Sequence, residues 1–163
     1  MEEEVFVLEG LRFDAKEART RTYILRLRPG TDLMEGIRAF CVKQGIRSGA
    51  ITTLLGSLRE MRYVYPVPVS GGKAGLRYCD PIVMEGPIEL LSGAGTIGEM
   101  KADGEAVIHL HAAFTNPEGQ VFGGHLLGGR VAITVEIAID AFDGVALTRA
   151  LDEETDMPVF SIE

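Results

Sequence analysis

All three histidines of this 163-residue chain lie within seventeen residues of one another. His109 and His111 form a His-x-His pair in the segment VIHLHAAF, and His125 follows in FGGHLLGG. Imidazole is the commonest metal ligand among side chains, and it also titrates near neutral pH. Side chains alternate along a strand, so a strand over this segment would place the rings of His109 and His111 on one face.

The turn between the two histidine segments predicts how they pair. Asn116-Pro117-Glu118-Gly119 has the residues that a type I turn favours. A three-residue hairpin loop at this turn pairs position 116 with Gln120 and places His111 directly opposite His125. A four-residue loop would shift the register by one residue, and a bulge at Gly123-Gly124 could restore it. Both alternatives allow the three rings to converge.

Three imidazoles on one face predict a site for a divalent metal ion. Such a site leaves a fourth position open for water or a substrate, and zinc is its usual occupant. Nickel, copper and iron also accept imidazole ligands. The predicted metal ligands are therefore His109, His111 and His125. The alternative is a set of hydrogen-bonded histidines beside a core strand, whose opposite face carries the apolar residues Ile108, Leu110, Ala112 and Phe114.

Charged residues near this segment are candidates for a supporting role. Arg130 ends the segment that follows His125 and could bind an anion, whereas Glu89 or Glu99 could carry a proton. The glycines beside His125 remove side chains where a backbone, a subunit or a ligand approaches closely. We predict that Glu89, Glu99 and Arg130 support the metal ligands or bind the substrate, each with the alternative of an exposed charge near a loop.

The elements that must position these residues are mostly strands. One helix is predicted from Asp32 to about Gln44, capped by Thr31 or Asp32 and ended by Gly45. Its apolar stripe includes Cys41, which we expect in the core. A flexible loop is predicted over Tyr65–Gly75. Strands are predicted at Thr22–Arg28, at Ile51–Tyr65 with a bulge at Gly56, at Pro81–Leu91 with an interruption at Gly86-Pro87, and at Val131–Ala141. This pattern predicts an α+β domain on a largely antiparallel sheet.

A glycine motif precedes the histidine segment. Residues 93–98 read GAGTIG and match the GxGxxG pattern of dinucleotide-binding folds. That pattern requires a helix directly afterwards, and the stretch from Glu99 to Gly104 is too short to form one. We therefore predict a turn between strands rather than a nucleotide site.

Composition sets further bounds on function. The net charge of −8 argues against a large phosphate-binding surface and so disfavours nucleic acid as a partner. No apolar run approaches the length of a membrane span.

Cys41 and Cys79 lack disulfide-framework spacing, which favours a reduced, cytoplasmic protein. We expect a single domain over residues 1–163, with a core at about 21–151 and acidic extensions at both ends.

The sequence resembles the plants-and-prokaryotes-conserved (PPC) domain family, whose bacterial and archaeal members are often described as DNA-binding proteins with a PD1-like motif. The resemblance runs from Arg21 to Leu151. It is carried by the HLH…GGHL hairpin, by the EGPIELLSG stretch and by LRPGTDLMEGIRAFCVKQGI at the helix. Pro87 stands where plant relatives have the arginine of Gly-Arg-Phe-Glu-Ile-Leu, and the plant AT-hook Arg-Gly-Arg-Pro does not occur in the chain.

This resemblance implies an α+β fold and a homotrimer. The PPC fold is also similar to that of acetolactate decarboxylase and of a zinc-dependent ester hydrolase, which use an HxH pair and a downstream histidine as metal ligands. We therefore expect a metal-binding protein, with zinc as the first choice, that acts as a lyase or hydrolase on an unknown small molecule. The alternatives are a DNA-associated regulatory trimer and a non-catalytic, ligand-sensing scaffold.

Overall fold

Strands dominate the architecture. The computed structural model describes residues 4–8 and 10–163, with side chains from residue 10 onward. The acidic N-terminal residues Glu2 and Glu3 lie outside this part. The strands are β1 (Glu4–Leu8), β2 (Leu11–Ala15), β3 (Arg19–Leu27), β4 (Gly49–Val64), β5 (Pro66–Pro68), β6 (Leu76–Tyr78), β7 (Ile82–Met100), β8 (Ala106–Thr115), β9 (Val121–Asp143), β10 (Leu147–Leu151) and β11 (Pro158–Ile162), and the helix is α1 (Leu33–Gln44).

One seven-stranded sheet contains most of these strands, in the order β11-β10-β7-β4-β9-β3 with β8 paired to both β7 and β9. Strand β4 pairs with β7 and β9, and β8 also pairs with β7 and β9. These four strands therefore form a closed ring of paired strands. The pairing is antiparallel except where β10 joins β7 in parallel, with Thr148 opposite Glu99. The predicted α+β class with a largely antiparallel sheet is confirmed.

Helix α1 forms where the sequence predicts it. The Asp32 side chain accepts a hydrogen bond from the Glu35 backbone N–H, and Gly45 ends the helix in the left-handed conformation. Leu33, Ile37 and Cys41 are completely buried on its inner face. Cys41 is thus a core residue, as predicted. No helix of the described residues is both long and apolar enough to cross a membrane.

Strand β9 contains the predicted strand Val131–Ala141, in which buried residues alternate with exposed or half-buried ones, with one exception. Val135, Ile137 and Ile139 are buried, whereas Ile133 is 70% exposed. The register against β4 shifts at this point, because Gly56 lies opposite Val135 and Leu58 lies opposite Val131. The bulge turns Ile133 outward. Gly56 has a φ of 139°, and a Cβ there would lie 2.1 Å from the Thr134 carbonyl oxygen, so the bulge requires glycine.

Strand β7 corrects two expectations. It runs for 19 residues through the Gly86–Pro87 cis peptide bond, so the predicted interruption does not end the strand. It also contains the whole GAGTIG segment, which is therefore strand and not the predicted turn. The glycines of this segment permit close packing of neighbouring strands: a Cβ at Gly95 would lie 2.3 Å from the His109 carbonyl oxygen.

The segment predicted as a flexible loop is partly ordered by pairing. Strands β5 and β6 form a small antiparallel sheet in which Val67 lies opposite Arg77. The backbone N–H of Cys79 also donates to the Tyr65 carbonyl oxygen. This short hairpin fixes the position of Tyr78, whose ring reaches the histidine hairpin.

Candidate metal centre

The hairpin of β8 and β9 has the register that the turn predicts. His111 lies directly opposite His125, and Thr115 lies opposite Val121. The Asn116 backbone N–H donates to the Gln120 carbonyl oxygen, and Gly119 adopts the left-handed conformation with a φ of 77°. This is the three-residue loop of the first alternative. The opposite face of β8 is buried, as expected, at Ile108, Leu110, Ala112 and Phe114.

The three histidine rings converge on one point. One imidazole nitrogen from each of His109, His111 and His125 lies within 4.8 Å of the other two. The Nε2 atoms of His109 and His111 are 3.0 Å apart. The ring centroids are 4.8 Å apart between His109 and His125, and 5.3 Å apart between His111 and His125. A strand pair with period-two alternation therefore produces a compact three-nitrogen cluster.

The cluster is electrostatically suited to neutral imidazoles. Burial lowers the pKa of His109 to about 4, and the charge of Arg149 and the ring of His111 add to this effect. Burial also lowers the pKa of His125 to about 4, with further contributions from both other histidines and from Arg149. Neutral imidazole is the form that binds a metal ion. His111 is the exposed member and lies at the open side.

Close backbone packing positions His125. A Cβ at the preceding residue, Gly124, would lie 2.7 Å from the Val64 carbonyl oxygen on β4. Val64 itself lies opposite His125 in the sheet. Glycine at position 124 thus allows β9 to pass between β4 and β8. This confirms the expectation that glycines beside His125 admit a neighbouring backbone.

Three residues that the sequence analysis did not single out surround the histidines. The ring of Tyr78 lies 5.5 Å from that of His125, and the ring of Phe160 stacks 6.3 Å from that of His109. The guanidinium of Arg149 lies over Phe160, 5.4 Å from the ring centroid. Gly98 makes room for this arrangement, since a Cβ there would lie 2.5 Å from Cε1 of Phe160. The pairing of β5 with β6 places Tyr78 here, whereas the pairing of β10 with β7 and of β11 with β10 places Arg149 and Phe160. No local motif indicates these three residues.

The three charged candidates lie elsewhere. Both carboxylate oxygens of Glu99 accept hydrogen bonds from Arg47, and this pairing lowers the pKa of Glu99. The Arg130 guanidinium donates to the Gly30 carbonyl oxygen and faces Glu60 at 3.6 Å. Glu89 lies opposite Thr115, four residues along β8 from His111, or roughly 13 Å at the usual rise of a strand. None of the three joins the histidine cluster.

The residues present fit a divalent metal ion. In a tetrahedral zinc site, two imidazole nitrogens at about 2.0–2.1 Å from the ion are roughly 3.3 Å apart. The Nε2 atoms of His109 and His111 are close to that separation. The Nδ1 atom of His125 is buried and makes no hydrogen bond. Because buried polar atoms are nearly always satisfied, this nitrogen is open to a further partner, and a metal ion is one that imidazole binds.

The chain matches one protein family over most of its length. The model of the Plants and Prokaryotes Conserved domain matches residues 15–143. Among solved structures, a metal-containing protein from Archaeoglobus fulgidus has a TM-score of 0.77 and 28% identity, covering 91% of this chain and 99% of its own. A plant- and prokaryote-conserved protein from Pyrococcus horikoshii has a TM-score of 0.74 and 30% identity, covering 90% and 96%.

A curated relative is much longer than this chain. The bifunctional protein GlmU of Synechococcus sp. strain JA-3-3Ab is 30% identical over 123 residues, which cover 73% of this chain and 17% of that protein. The chain thus spans about a sixth of the length of this relative.

Proposed function

Since the chain belongs to the Plants and Prokaryotes Conserved domain family, whose model matches residues 15–143, we propose that it is a metal-binding member of that family. In this proposal His109, His111 and His125 bind one divalent ion, with zinc as the preferred metal. The observation that carries the proposal is the convergence of three imidazole nitrogens within 4.8 Å. The similar protein of Archaeoglobus fulgidus is itself described as metal-containing.

The arrangement supports small-molecule chemistry of the lyase or hydrolase type. A bound divalent ion with an open position supplies a Lewis acid that polarises a carbonyl or acidifies a water. The chain's own residues would hold and shield the ligand: Tyr78 and Phe160 form aromatic walls beside two of the histidines. No carboxylate of the described residues belongs to the histidine cluster.

Metal content tests this proposal directly. The wild-type protein, purified without chelator, is expected to contain close to one divalent ion per chain by elemental analysis. His111→Ala removes an exposed ligand and is expected to reduce the content at least tenfold. Glu99→Gln is the matched control. Because Glu99 is paired with Arg47, this substitution should leave the metal content unchanged. Less than a tenth of an ion per chain, both as purified and after zinc titration, would overturn the proposal.

We also propose that the protein is a homotrimer, as the family resemblance implies. Sedimentation equilibrium of the full chain tests this, with about three times the mass of 17.6 kDa expected. A monomer at micromolar concentration would contradict it.

A further inference from the structure

Arg149 is a half-buried cation beside the histidine cluster, and no acidic side chain of the described residues pairs with it. Its Nη2 donates to the Pro158 carbonyl oxygen at 3.3 Å, and its guanidinium stacks on Phe160. In the described part of the chain, seven pairs of opposite charges approach within 4.0 Å, and none of them includes Arg149. One hydrogen bond to a carbonyl leaves most of the five guanidinium donors available.

The position of Arg149 relates it to the metal centre. Phe160 connects the two, because its ring stacks on that of His109 and the Arg149 guanidinium lies over the same ring. The charge of Arg149 contributes to the lowered pKa of His109 and of His125. Burial lowers the pKa of Arg149 itself, yet a guanidinium remains charged at any physiological pH.

The charges around this site are unbalanced. The proposed ligands are three neutral imidazoles with no carboxylate in the cluster. A divalent ion would therefore keep its full charge beside the half-buried charge of Arg149. Uncompensated charge away from water is costly, so such a site strongly favours an anionic ligand. The planar guanidinium fork matches a carboxylate in shape, and the rings of Tyr78 and Phe160 suit a short carbon skeleton.

We propose that the site binds a small carboxylic acid with a second oxygen donor, its carboxylate on Arg149 and the second oxygen at the open metal position. This inference rests on the proposed metal site. It names the class of ligand and gives Arg149, rather than Arg130, the role of anion partner.

Binding of matched acid and amide pairs tests the inference. The probes are glycolate, 3-hydroxypropanoate and 4-hydroxybutanoate, each compared with its neutral amide on the metal-loaded full-length protein. Titration calorimetry measures affinity, and the visible spectrum of the cobalt-loaded protein reports a change in coordination. At least one acid is expected to bind about tenfold or more tightly than its amide, since a charge-assisted hydrogen bond contributes that much.

Variants at two arginines separate the inference from the proposed function. Arg149→Met should weaken binding of the acid about tenfold or more and leave that of the amide and the metal content unchanged, with Arg149→Lys intermediate. Arg130→Met is the control and should bind like wild type, because Arg130 is held by Gly30 and Glu60.

Normal metal content with equal affinity for acids and amides, or with no effect of Arg149→Met, overturns this inference alone. Preference for inorganic phosphate over every acid overturns the carboxylate assignment, and absence of metal overturns both proposals.

Discussion

Phe160, near the C-terminus, stacks on His109 in the middle of the chain, with ring centroids 6.3 Å apart and planes inclined by 23°. The contact connects β11, at the edge of the sheet, to the histidine hairpin. The Arg149 guanidinium lies over the same Phe160 ring, 5.4 Å from its centroid. The last two strands therefore form one wall of the candidate metal centre.

Removing this wall should affect stability and the histidine environment together. Phe160→Ala is expected to lower the free energy of unfolding by about 1–3 kcal/mol, because the ring is only partly buried. The His109 ring protons should shift in NMR spectra as the aromatic ring current disappears. Val159→Ala, on the same strand and facing solvent, is the control and should change stability by less than about 0.5 kcal/mol. Unchanged His109 resonances in Phe160→Ala would contradict the stacking.

Metal binding should stabilise the folded chain. Zinc at a hundredfold excess over its dissociation constant adds about 2.7 kcal/mol to the free energy of unfolding. For a chain of this size that corresponds to a rise in Tm of roughly 5–10 °C, measured by scanning calorimetry. A chelator should reverse the rise, and His111→Ala should show none. An equal rise in His111→Ala would assign the stabilising ion to another place.

Adjacent glycines on β9 should differ in their tolerance of a methyl group. Gly124→Ala would place a Cβ 2.7 Å from the Val64 carbonyl oxygen, whereas Gly123→Ala places one 3.3 Å from the Ala112 carbonyl oxygen. We expect Gly124→Ala to destabilise the fold by about 1–3 kcal/mol and to weaken metal binding. Gly123→Ala should cost clearly less. Urea unfolding of both variants checks this, and equal stability would show that β9 relaxes freely.

The buried Cys41 thiol predicts a loss of stability at high pH. Burial raises the pKa of Cys41 from 9.0 to about 11, so the folded state keeps a proton that the unfolded state releases. Stability from this group is therefore complete below pH 9 and decreases as the pH rises towards 11, by about 1–3 kcal/mol. Urea unfolding at pH 8 and pH 10.5 should show a smaller decrease for Cys41→Ala than for wild type. Identical decreases in both proteins would remove Cys41 as the cause.

The N-terminus of α1 should depend on an oxygen acceptor at position 32. Asp32→Ala leaves the Glu35 backbone N–H without its partner and should cost about 1 kcal/mol. Asp32→Asn retains a carbonyl oxygen at the same place and should stay within about 0.5 kcal/mol of wild type. Thermal unfolding followed by circular dichroism measures both. Equal losses in the two variants would point to the charge rather than the hydrogen bond.

Local sequence features predicted the parts of the fold that depend on neighbouring residues. The capped helix follows from Asp32 and Gly45, whose backbone requirements are local. The convergence of the histidines follows from a turn of four residues and from strand alternation, so His111 opposite His125 was predictable. The GAGTIG segment was not predicted correctly, because glycines that permit close strand packing look like turn glycines in sequence.

The sequence by itself determined the histidine cluster, because short-range turn geometry and period-two alternation place all three rings on one face. Only the tertiary structure decided what surrounds the cluster. Arg149 and Phe160 reach His109 through the pairing of β10 with β7 and of β11 with β10, over long separations in sequence. Such pairings depend on burial and packing across the whole sheet rather than on local pattern. That is why the sequence indicated Arg130 as a candidate for anion binding but not Arg149, which the fold places next to His109 through Phe160.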